Sequence, residues 1–73
     1  MISKMISRSQ LAIDICGGDQ YLMIQMASQR TREILTGSDI RVPVIEGEKA
    51  NSTAIREIEA GMYTVDEYNQ SST

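Results

Sequence analysis

Apolar and polar positions along this chain recur at spacings that fit helices better than strands. Residues 1–8 scatter Met and Ile among polar side chains and predict a frayed terminus. From Ser9 onward, Leu11, Ala12, Ile15 and Cys16 fit one face of a short helix. Leu11, Ile13 and Ile15 fit a strand equally well, but no second strand is evident to pair with it. Gly17-Gly18 ends the element in either case, because adjacent glycines favour turn and left-handed backbone. Asp19 stands where an N-cap would start a longer helix. Residues 20–36 contain no Pro or Gly and are rich in Met, Gln, Leu, Arg and Glu, all good helix formers. One apolar stripe runs Met23, Met26, Ala27, Ile34, and a second runs Leu22, Ile24, Leu35. Thr36-Gly37 supplies the stop.

Residues 38–50 read as a loop in which Ile40, Val42, Val44 and Ile45 flank Pro43 in an extended stretch. Structureless loops of this length are uncommon in compact domains. The stretch either lies along another protein or is a mobile surface loop. Asn51 or Ser52 is placed to cap the next helix. There Ala54, Ile55, Ile58 and Met62 share one face, while Arg56, Glu57 and Glu59 point outward. Glu59, three residues beyond Arg56, offers it a local surface pair. Gly61 ends the helix. Thr64 and Glu67 have capping-box spacing for a last short turn through Tyr68. Residues 69–73 form a polar tail expected to be poorly ordered.

The predicted fold is all-α and occupies one domain, 1–73. It has one long helix, a second shorter core helix, a long connecting loop and short terminal helices. Its expected core sets Met23, Met26, Ala27 and Ile34 against Ala54, Ile55, Ile58 and Met62. The first half of the long helix is apolar around much of its circumference, which is usual for a helix buried on more than one side. So short a chain has little with which to cover it. Tyr21, Leu22, Ile24, Val42 and Val44 are therefore expected at a partner surface. Arg30, Arg32 and Arg56 are candidate polar anchors there. Arg30 and Arg32 could equally complement the negative end of their own helix.

Size and composition narrow the function. A chain of 73 residues without Phe or Trp builds only a small core, and chains below about 70–80 residues rarely keep more than a few kcal/mol of stability. A fold completed by a partner is one expected outcome. The net charge of −3 excludes bulk electrostatic binding of nucleic acid. No apolar run approaches the roughly 20 residues of a membrane span. The absence of His removes the usual base near neutral pH. Cys16 is the single cysteine and has no cationic neighbour in sequence, so it reads as an inert buried thiol. Glu46 and Glu48 read as solvated acids. Gly17-Gly18-Asp19 lacks the Lys and the strand–helix context of a phosphate loop. No catalytic residue, metal ligand or cofactor site is expected. A free cysteine and the lack of an export signal favour the cytoplasm. A helix-turn-helix is disfavoured by the long gap between the two better helices and by a second helix with more Glu than Arg.

Two segments carry a resemblance. Residues 21–34, YLMIQMASQRTREI, resemble the long helix of the omega subunit of bacterial RNA polymerase. Tyr21, Met23, Ile24, Ala27, Arg30, Arg32 and Ile34 match that family in step; Thr31 and Gln29 depart from its usual Ala and basic residue. Residues 49–62, KANSTAIREIEAGM, are similar to a second run of the same family. Lys49, Ala54, Ile55, Arg56, Glu57, Ile58, Gly61 and Met62 match without a gap, and Ser52 replaces an apolar residue. Together the segments cover well under half of the chain. The N-terminal part lacks the Met-Ala-Arg opening of many proteobacterial members, so their alarmone site is not carried over. The resemblance implies a noncatalytic helical subunit that clasps the largest (beta-prime) subunit of DNA-directed RNA polymerase and aids its folding, assembly and stability. It implies no cofactor and no direct sequence-specific DNA contact. A related subunit occurs in archaeal and eukaryotic polymerases; the bacterial form is favoured here. The alternative is a small regulatory adaptor or antitoxin that folds on binding a protein target.

Overall fold

A computed structural model of the chain describes residues 9–71. Among these residues four helices follow one another: α1 (Gln10–Ile15), α2 (Gln20–Leu35), α3 (Ala50–Glu59) and α4 (Val65–Ser71). The ambiguous first element is thus a helix. The principal packing is α2 against α3, with α1 resting on both and α4 against α2. The Cα radius of gyration is 11.3 Å, matching the ~11 Å of a compact domain of this length. The chain encloses a core of its own.

Local chemistry sets the helix ends. The Ser9 hydroxyl accepts from the Ala12 amide at 3.1 Å and starts α1. The same hydroxyl donates to the Glu59 carboxylate and ties α1 to α3. The Asp19 carboxylate accepts from the Leu22 amide at 3.1 Å, the expected N-cap of α2. Asp19→Ala should lower stability by about 1 kcal/mol, read as a drop in the thermal midpoint. Helix α3 starts earlier than expected, with Lys49 at the N-cap and no side-chain cap. Asn51 and Ser52 lie inside its first turn because the Lys49 carbonyl already accepts from Ser52 and Thr53 amides.

Helix α3 closes with a Schellman pair. Gly61 takes φ of 75°, its amide bonds the Ile58 carbonyl, and the Met62 amide bonds the Glu57 carbonyl at 2.9 Å. The chain turns there, so Met62 leaves the helical face and is 47% exposed. Tyr63, one residue on, fills the core position that periodicity assigned to Met62. Helix α4 begins as expected, the Thr64 hydroxyl accepting from the Glu67 amide. It runs on to Ser71, however, so residues 69–71 are helical rather than a loose tail. Val65 and Tyr68 pack on the core and anchor that extra turn. The expectations for residues 1–8 and 72–73 lie outside the described residues.

The core joins Ala12, Ile13 and Cys16 of the α1 region, Met23, Met26 and Ala27 of α2, Ile55 and Ile58 of α3, and Tyr63. Ala54 is also buried, whereas Ile34 is only partly so. Residues 10–16 contribute more than their short pattern promised, because α1 lies across the α2–α3 pair and seals one end of it.

Candidate functional site

Arg30 and Glu57 occupy the centre of the α2–α3 contact. Arg30 is 1% exposed and Glu57 not at all. The Arg30 Nε donates to Glu57 Oε1, and Nη1 donates to Glu33 at 3.0 Å. Arg30 Nη2 reaches the Asp39 carbonyl at 2.6 Å, and the Arg41 amide donates to Glu57 Oε2 at 2.8 Å. The pair therefore binds the two helices and also pins the loop between them. The Arg30 guanidinium lies 5.8 Å from the centre of the buried Tyr63 ring, within cation–π range. Burial, helped by the Glu33 charge, pushes the Tyr63 hydroxyl up to about 12.

Two further arginines hold the same loop. Arg56 donates through Nε to Glu48 at 2.9 Å and through Nη2 to the Pro43 carbonyl at 2.7 Å. Glu48 also accepts from the Thr53 hydroxyl at 2.8 Å. Arg41 grips Glu67 of α4 through two contacts of 2.6 and 2.7 Å and donates to the Met62 carbonyl. Residues 36–49 are thus a strap held along their own chain by these contacts.

These contacts correct several expectations. Arg30 is an internal strut rather than a surface anchor, whereas Arg56, part-exposed, clamps the strap. Glu57 is buried instead of facing outward, because only there can it meet Arg30 and the strap amide. Glu48 is paired instead of merely solvated. Arg56 chooses it over Glu59, whose carboxylate is taken by Ser9. Substituting Arg30 would therefore perturb folding before any interface.

The Arg56 hydrogen bonds, then that of Thr53, hold the Glu48 carboxyl below the usual glutamate range. Arg41 holds Glu67 below it in the same way. Folded-state values depressed below the unfolded ones mean that both contributions are complete above the ordinary glutamate pKa of about 4.3. They disappear as pH falls through the depressed values. Protection factors of the strap amides, taken relative to the intrinsic exchange rate at each pH, should therefore hold from pH 5 to 7 and fall below about pH 4, ahead of those in the α2–α3 core. A simultaneous fall in both would contradict separate loss of the clamps.

The other predicted residues lie as follows. Tyr21 is 69% exposed and Val44 72% exposed. Arg32 is exposed as well, while Leu22, Ile24 and Val42 are half-buried. Leu22 and Ile24 lean on the core from its edge. Two shallow grooves flank the outer face of α2. One, of about 370 Å³, runs between α2 and α4 and is lined in part by Tyr21, Ile24, Arg32 and Tyr68. The other, of about 520 Å³, lies between the second half of α2 and the start of α3, where Arg32, Leu35 and Lys49 line it. Arg32 stands on the ridge between them. Tyr21, Ile24 and Arg32 are thus brought together on one face, while Val44 stands apart on the strap.

Cys16 is buried with its Sγ 3.5 Å from Met26 Sδ. Burial, and then the charge of Asp19, push its thiol up and away from the reactive thiolate. Among the described residues no group of His, Cys, Asp or Glu is disposed to hold a metal ion. No described helix is long and apolar enough to cross a membrane. No protein-family model matches the chain, and no solved structure matches it.

Proposed function

We propose that the chain is a noncatalytic, omega-like subunit of DNA-directed RNA polymerase. It binds the largest (beta-prime) subunit in the cytoplasm and promotes the folding, assembly and stability of that subunit. The observation that carries this reading is the meeting of the two resembling segments. Ala27 and Arg30 from the first converge with Ile55, Glu57 and Ile58 from the second in one α2–α3 contact. Two separate matches thereby become one structural unit with the buried ion pair at its centre. The same packing leaves Tyr21 and Arg32 of the first segment on an outer face between two grooves, available to a large partner. A tagged full-length chain, captured from its own cells and washed at moderate salt, should recover the large polymerase subunits in stoichiometric amounts. Recovery of an unrelated protein without polymerase would overturn the reading in favour of an adaptor or antitoxin.

A further inference from the structure

The described residues include five cationic side chains: Arg30, Arg32, Arg41, Lys49 and Arg56. Three of them, Arg30, Arg41 and Arg56, are engaged in ion pairs within the chain. Arg32 and Lys49 form no ion pair among the described residues, and both line the same groove of about 520 Å³. The groove's remaining wall includes Ser28, Thr31, Leu35 and Ala50, which are small, apolar or uncharged. Leu35 is 72% exposed at its mouth, one of the most exposed large apolar side chains described. Helix α3 opens there with no side-chain cap and no acid in its first turn, and the Glu48 carboxylate just ahead of it is held by Thr53 and Arg56.

We infer that this groove receives a protein segment that carries apolar side chains flanked by carboxylates, with Arg32 and Lys49 pairing the carboxylates and Leu35 covering the apolar side chains. Charge complementarity selects that occupant. An acidic chain, net −3, places its two unpaired described cations around one apolar depression. Two cations are too few to hold a nucleic-acid backbone against that net charge. The chain's own exposed Val44 and Ile45 are followed by Glu46, so a second copy is the competing occupant that the crosslink distinguishes. The inference refines the polymerase reading without depending on it, since the groove and its charges exist whichever protein supplies the segment.

The test introduces Leu35→p-benzoylphenylalanine into the full-length chain in its own cells, with Asp14→p-benzoylphenylalanine on the exposed side of α1 as a control. Crosslinked peptides are sequenced by mass spectrometry. The position-35 adduct is expected in a protein segment with carboxylates flanking apolar residues. It should be missing from the control and should fall on the order of ten-fold when Arg32→Glu and Lys49→Glu are added. Circular dichroism checks that this surface double variant stays folded. If the segment belongs to the largest polymerase subunit, both readings stand. If an acidic–apolar segment of another protein is found, the groove assignment stands and the polymerase reading falls. No adduct, an adduct to nucleic acid, to a second copy or to a segment without carboxylates, or a yield indifferent to charge reversal overturns the inference.

Discussion

Arg30→Ala is expected to leave the chain largely unfolded at 25 °C, under conditions where the parent is folded. The substitution strands the fully buried Glu57 carboxylate with the Arg41 amide as its remaining described strong donor. Breaking a buried pair in this way costs about 3–5 kcal/mol. A chain of this size has a total stability of similar magnitude, roughly 3–5 kcal/mol. The loss extends further, because the guanidinium also holds the Asp39 carbonyl and covers the Tyr63 ring. Urea unfolding followed by far-ultraviolet circular dichroism measures the effect. Glu57→Ala should also be damaging, though less so, since Arg30 keeps Glu33 and the Asp39 carbonyl while the Arg41 amide loses its acceptor. The double variant Arg30→Met with Glu57→Leu removes both charges and should be more stable than either single variant. If Arg30→Ala shifted the midpoint no more than an exposed substitution such as Arg32→Ala, the buried strut would be refuted.

Ile58→Ala has the second large effect. Ile58 is fully buried where α3 meets the rest of the core, and truncation there costs about 2–5 kcal/mol through lost burial and residual cavity. Met62→Ala, by contrast, should stay within about 0.5 kcal/mol, as surface substitutions do. Helical periodicity alone would put the two residues on one face and give them similar costs. The contrast therefore tests whether the chain turns at Gly61. Equal losses in urea midpoint would restore Met62 to the core.

Several features were legible in the sequence because they are local. Asp19, Gly17-Gly18, Gly37 and Gly61 mark helix ends through capping and left-handed backbone, which depend only on near neighbours. The apolar stripe Met23, Met26, Ala27 and the stripe Ala54, Ile55, Ile58 gave the main packing. What escaped was the partnership between charges. Arg30 lies on the stripe of Met23, Met26 and Ala27, and Glu57 lies beside Ala54 and Ile58 on the other. A charge on each of two apolar stripes, with opposite signs, is the signal of a buried pair. Charge alone argues for the surface and points both residues outward. The strap escaped for a related reason. Its contacts run between side chains and backbone groups across 9–16 positions, from Arg30 to the Asp39 carbonyl, Arg56 to the Pro43 carbonyl and the Arg41 amide to Glu57. No periodicity encodes them. Arg32 and Lys49 stand far apart in sequence, and their shared groove exists only once α2 and α3 have packed.

The polymerase assignment is tested most directly by equilibrium binding of the fluorescently labelled chain to core polymerase from the same cells, purified without it. The expected result is saturable binding of one chain per core enzyme, displaced by unlabelled chain and accompanied by slower thermal loss of the largest subunit. An absence of saturable binding, with the labelled chain shown by circular dichroism to be folded, would contradict it.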